Sequence, residues 1–179
     1  MLEQMTQRLL ARRTFESAAE AVLNDVVALH GAEYGDLQLV VGDELVIVAQ
    51  RGLSDAFLRA FRRVRKTDGC ACGRAWRTGT TVVVADVTKD VDYAGNRGDA
   101  AAAGYRAVQS TPLATSRGRV LGMVSTLFAN VHEPTPIELD TLARYSRVAA
   151  DYLEALLGAE PLSAMAQRIH AALYADAVA

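Results

Sequence analysis

The chain has 179 residues, 51% hydrophobic and 22% charged, the balance of a globular domain rather than a disordered segment. Nineteen Lys and Arg against 21 Asp and Glu leave a formal charge of −2, which argues against a generic binder of nucleic-acid backbones. Two cysteines exclude a disulfide framework, and the longest wholly apolar run, Leu45–Ala49, is far too short to span a bilayer. Arg8, Arg12 and Arg13 are not followed by an unbroken apolar stretch, so the N-terminus does not read as a secretory signal. The expectation is a cytoplasmic protein in a reducing compartment, without nucleic-acid or membrane partners.

The first thirty residues carry Met5, Leu9, Ala19, Val22, Val26 and Leu29 at helical spacing. Ser17-Ala18-Ala19-Glu20 fits a capping box, which predicts a new helix near there. The segment 2–13 reads either as a separate helix or as one continuous with it. Tyr34-Gly35-Asp36 punctuates the chain. Leu37, Leu39 and Val41 then alternate, and Gly42-Asp43 separates them from Leu45–Ala49, the signature of a hairpin. Ser54 opens a short amphipathic helix with Phe57, Leu58 and Phe61, and the basic run Arg59, Arg62, Arg63, Arg65 and Lys66 reads as a solvated helix face.

Asp68-Gly69 leads into a helix of about two turns from Cys70, ending at Thr78-Gly79. Thr81–Ala85 is a predicted strand. Residues 88–104 form a long connection, with a short helix allowed at Asp99–Gly104, and such connections are often functional. Ala107–Leu113 and Val120–Phe128 are strands across the turn Ser116-Arg117-Gly118-Arg119. Thr135, Pro136 and Glu138 form the clearest helix start, and the helix runs to Gly158. Beyond Pro161, the residues Leu162, Met165, Ile169 and Leu173 predict a last amphipathic helix, expected to dock on the domain or on a second subunit. This order fits an α+β domain: an antiparallel sheet with helices segregated to one face.

Three segments together resemble a GAF domain, the small-molecule sensing module of many signalling proteins. They are Leu45–Leu53, then Cys72–Gly79 with Val82–Val87, then Gly104–Leu113 with Gly118–Ser125. The resemblance runs from about Thr14 to Leu157. It implies a five- or six-stranded antiparallel sheet, with the N- and C-terminal helices packed on one face and a pocket on the other. The connections 64–73 and 86–106 would wall that pocket. The organisation expected is an N-terminal helical extension (1–13), a GAF-like domain (14–158) and a C-terminal helical tail (159–179).

Within that frame, Cys70 and Cys72 lie at a helix N-terminus, where the helix dipole favours a thiolate. A thiol reductase of the free methionine-R-sulfoxide type also uses the GAF fold. That family's pattern needs a further cysteine after the next strand, and Val87–Gly104 contains none. Two thiols without neighbouring His, Asp or Glu make half a zinc site, so no metal is expected. No Cys-His dipeptide for bilin attachment and no Asn-Lys…Phe…Asp-Glu signature for cyclic nucleotides is present. His30, His132 and His170 fall outside the expected pocket and read as surface or capping residues. Trp76 reads as core.

The ligand-binding set expected is Cys72, Asp86, Tyr93 and Tyr105, with Gln109, Ser110 and Ser125 on the last strands. The cofactor stays unknown. The first function expected is a non-enzymatic regulatory sensor of an unidentified small molecule. Its signal would pass through terminal-helix packing, a homodimer or a separate signalling protein. The alternatives are the thiol reductase using Cys70 and Cys72, and a ligand-free dimerisation module.

Overall fold

A computed structural model describes residues 1–177. Two helices come first, α1 (Leu2–Leu10) and α2 (Phe15–His30). They are separate, and the break lies at Thr14 rather than Ser17. Thr14 is the N-cap, its hydroxyl accepting the Ser17 amide, and Ser17 is the reciprocal partner inside the first turn. The expected start was late because Ser17 caps backwards, towards Thr14, instead of opening its own helix. Gly31 closes α2 with φ of 59°.

The hairpin follows as β1 (Tyr34–Val41) and β2 (Glu44–Arg51). After α3 (Asp55–Ala60) comes β3 (Arg63–Arg65), a strand where the basic run suggested a continuing helix face. Arg63 and Arg65 flank buried Val64 and both pair with Glu44 across the ladder. Next come α4 (Ala71–Thr78), β4 (Val82–Val84), a single 3₁₀ turn at Ala94–Asn96, and α5 (Arg97–Ala103). The strands β5 (Ala107–Ala114) and β6 (Val120–Phe128) precede α6 (Pro136–Leu157) and α7 (Leu162–Ala177). Thr135 and Glu138 form the full capping box of α6, with Pro136 at its first turn. Among the described residues no helix is long and apolar enough to cross a membrane.

The six strands form one sheet in the order β3-β2-β1-β6-β5-β4, and every neighbouring pair is antiparallel. The architecture is α+β. The central pair β1–β6 requires Gly122, because a Cβ there would run into the carbonyl oxygen of Gln38. Side chains alternate across the sheet. Leu37 and Leu39 of β1 join Val22, Leu121, Tyr145 and Leu153 in the core under α1, α2 and α6. Burying one such leucine contributes about 1.5–3 kcal/mol. Leu45, Ile47, Met123 and Leu127 face the other way, under α3, α4 and α5.

Helix α7 belongs to both sides. Leu162, Met165 and Ala166 complete the first core, whereas Tyr174 joins the second. It rounds the sheet where β2 outlasts β3, which pairs only with Glu44, Leu45 and Val46. There His170 donates from Nδ1 to the edge carbonyl of Ile47 at 2.8 Å. The tail helix therefore docks on its own domain. His170 and His30 are both buried, not superficial: His30 Nδ1 lies 3.4 Å from the Thr126 hydroxyl beneath α2. His132 stacks on Phe128 at 3.7 Å between ring centres. The surrounding layers cover His30 and His170 and make them core residues, whereas His132 is half-buried.

Candidate functional site

On the α3–α4–α5 face, the sheet and its cover enclose a chamber. Its floor is Asp36 of β1, Val108 and Ser110 of β5, and Ser125 and Leu127 of β6. Its roof is Phe57 of α3 and Phe61 just after it, Cys70 at the N-cap of α4 with Ala71 and Cys72 in its first turn, and Tyr93 from the connection after β4. The room left for a guest's centre is about 10 Å³, one water molecule. The chamber is thus almost filled by its own side chains.

Local sequence explains how the roof is held. Gly73 lets α4 settle on the 65–68 turn, since a Cβ there would lie 2.7 Å from the carbonyl oxygens of both Arg65 and Asp68. Arg74 clamps Asp90 with two bonds from Nη1, at 3.0 and 3.1 Å. Asp90 in turn accepts the Tyr93 amide at 3.0 Å. Tyr93 thereby drops into the roof, and its hydroxyl meets that of Tyr105 at 2.8 Å. Burial pushes both phenols up, Tyr93 well above its ordinary range. Phe57 packs edge-on against the Tyr105 ring at 5.9 Å.

Three polar groups distinguish the chamber from an ordinary core. The Ser110 and Ser125 hydroxyls are 2.8 Å apart and buried. Asp36 is 1% exposed, and its Oδ2 has no hydrogen-bond partner. Burial pushes its carboxyl up to about 7, opposed by the Ser125 hydroxyl and its own backbone amide. The sulfurs of Cys70 and Cys72 lie 3.5 Å apart. Cys70 is drawn down, first by the Cys72 thiol and then by the Gly73 amide; Cys72 is pushed up by Cys70 and by burial. Among the described residues no three His, Cys, Asp or Glu side chains gather as they would around a metal ion.

The expected residues divide between the chamber and other duties. Cys72, Tyr93, Ser110 and Ser125 line it. Tyr105 stands behind Tyr93 and holds it. Asp86 lies elsewhere: it binds Arg106 through two bonds at 2.9 and 3.1 Å and caps the Thr88 amide at 3.0 Å. Those partners hold its carboxyl well below the usual range and pin the base of the 86–106 connection. Gln109 is one position out of phase with Ser110, so it faces the α2 side, opposite Thr126. The reading of the sequence missed Asp36, Phe57 and Phe61. Alternation with Leu37 and Leu39 was the available signal for Asp36, but its Gly35 neighbour made the segment look like a turn.

Solved structures with this arrangement come from several kinds of protein. Free methionine-R-sulfoxide reductase from Neisseria meningitidis, solved with its substrate, superimposes with a TM-score of 0.70 at 21% identity, covering 87% of each chain. The GAF domain of a phosphoenolpyruvate-protein phosphotransferase from Coxiella burnetii gives 0.71 at 19% identity, over 86% of this chain and 90% of that one. The chromophore-binding domain of a bacteriophytochrome from R. palustris gives 0.68 at 14% identity, over 89% of this chain and 61% of that one. At these identities the likeness is one of fold. No curated protein matches the chain. The family model described as GAF domain matches residues 12–154, and on that span the chain belongs to the GAF domain family.

Proposed function

We propose that this GAF domain is a sensor that admits a small molecule to the chamber and reports its presence through α7. The observation that carries this reading is the gathering of Asp36, Ser110 and Ser125 on the floor of an otherwise apolar chamber, with one carboxylate oxygen unpartnered. A core does not need such groups, whereas a binding pocket is apolar with a few convergent polar ones. The small free volume means that a guest enters by lifting the roof.

The roof is tied to α7. Tyr174 donates its hydroxyl to the Leu58 carbonyl of α3 at 2.7 Å, and the Arg62 guanidinium lies 4.9 Å from the centre of the Tyr174 ring. Lifting α3 therefore pulls on the tail helix, and occupancy shifts the balance between two packings of α7. A partner, or a second copy of the chain, would read that shift. Melting the protein against a low-molecular-mass metabolite fraction tests this. A binder at a hundredfold its dissociation constant raises stability by about 2.7 kcal/mol. Amide exchange should then change over 162–174. A melting point that no fraction moves would sink the proposal.

The facing thiols favour a second reading, a reductase. Cys70 and Cys72 would give up two electrons and two protons to a sulfoxide oxygen, leaving the sulfide, water and a disulfide. The 21% likeness to the Neisseria enzyme supports the fold for this but no residue role. Turnover of free methionine-R-sulfoxide with a thiol reductant, lost in Cys70→Ser and Cys72→Ser, would establish it; no turnover in the wild type would remove it.

A further inference from the structure

We infer that Asp36 is the recognition group of the chamber, and that the molecule it receives presents a cationic nitrogen, an ammonium or amidinium, to the free carboxylate oxygen. This rests on the sensor reading and names the class of its ligand.

The other buried carboxylates, Asp25 and Asp86, each have an arginine. Asp25 has Arg8 at 2.6 Å and the Tyr145 hydroxyl at 2.6 Å. Asp86 has Arg106 at 2.9 Å. Asp36 is buried more deeply than either, and no Lys, Arg or His lines its chamber. A carboxylate in such a place is costly unless a cation joins it. The fold supplies the hydrogen-bonding support but not the charge. In the strand register Ser125 lies between Ser110 and Asp36, so Ser110 donating to Ser125 would leave the Ser125 proton free to turn to Asp36. Gln38, fully buried two residues along the same face of β1, leaves both ends of its amide unpartnered. A single water, for which there is room, would satisfy Oδ2 but would not neutralise it.

The roof suits the same guest. Phe57, Phe61 and Tyr93 offer aromatic rings above the carboxylate, and aromatic faces attract cations. The titratable groups turned towards Asp36 are Cys70 and Cys72 from α4, Tyr93 from the connection, and Tyr174 from α7; none is a base that would compete for the site. With the carboxyl near half-protonation in the empty protein, an arriving cation expels the proton.

The test uses the full chain and matched four-carbon probes. Butylamine and butylguanidine are compared with butanol and butyrate by protein-detected NMR and calorimetry, on wild type and Asp36→Asn. The cations should bind wild type about tenfold or more tighter than butanol, and lose that advantage in Asp36→Asn. Wild-type binding of the cations should also strengthen from pH 6 to pH 8 and release protons, whereas butanol should show neither effect. Equal binding of cation and alcohol, or a cation preference that survives Asp36→Asn, overturns the assignment. If butanol or a metabolite fraction perturbs the chamber but cations show no preference, the sensor reading stands and the cation assignment falls. If nothing perturbs it, both fall.

Discussion

Asp25 and Asp36 are buried on opposite faces of one sheet, and their surroundings differ in kind. Asp25 sits among α1, α2 and α6, with Arg8 on one oxygen and Tyr145 on the other. Both of its oxygens are partnered, and the helices it joins are the ones that enclose the main core. Asp36 sits under α3 and α4 beside the bonded Ser110–Ser125 pair, with a free oxygen and no counter-charge in its lining. A carboxylate that completes a fold and one proposed to receive a ligand can both be buried. What separates them is whether the surrounding side chains close the hydrogen-bond and charge account. Asp25 has its counter-charge; Asp36 has none among the residues that line its chamber.

The largest effect that would sharpen this contrast comes from pH. Asp36 is raised from an ordinary value of 3.8 to about 7, so the folded protein holds its proton more firmly than the unfolded chain. Its burial is harmless below pH 4, and the penalty grows as pH rises and is complete above about 7. Asp36→Asn removes the titration. The variant should therefore gain on the wild type between pH 4 and pH 8, by a total on the order of 4 kcal/mol. Denaturant melts at the two pH values measure it, and parallel curves would mean that the carboxyl is compensated after all. Asp25→Ala should do the reverse at every pH. It strands the buried Tyr145 hydroxyl, while half-exposed Arg8 turns to water, for a loss of about 2 kcal/mol. A neutral result there would break the contrast from the other side.

The architecture was legible because its signals are local and redundant. The alternation of Leu37, Leu39 and Val41 and the Thr135-Pro136-Glu138 start each name an element without help from the rest. The chamber was less so. Tyr34-Gly35-Asp36 reads as a break, since glycine and aspartate usually make one. Yet Gly35 is there because a Cβ would lie 2.7 Å from Val27 of α2, and Asp36 is already inside the strand. The β5 run Ala107–Ala114 has polar and apolar residues in both phases, so sequence could not tell that Ser110 faces the chamber and Gln109 faces α2. Asp86 has the chemistry of a ligand residue, and only the arrival of Arg106 from across the connection shows it to be a brace. Three-residue β3 is fixed by its pairing with β2, which no window of sequence contains.

Two smaller changes examine how the chamber face is supported. Ser125→Ala removes the hydroxyl between Ser110 and Asp36 and should cost about 1 kcal/mol. It should also push the Asp36 titration higher, because the bond opposing the effect of burial is gone. A carboxyl-carbon NMR titration at Asp36 reads this directly, and an unmoved midpoint would exclude that bond.

The smallest effect lies at a contact between the roof and the tail helix. Tyr174→Phe deletes the hydroxyl bond to the Leu58 carbonyl but keeps the ring under Arg62. The stability change should be about 1 kcal/mol, the net worth of one hydrogen bond to the buried Leu58. Its distribution matters more than its size. Leu162, Met165 and Ala166 remain locked in the helical core, so amide exchange should rise around 170–174 and in α3 while staying unchanged in α1, α2 and α6. Exchange that rises evenly over the whole of α7 would show that the tail moves as one rigid piece with the helical face. Then the chamber face would have no separate handle on it, and the route from chamber to tail would have to be sought elsewhere.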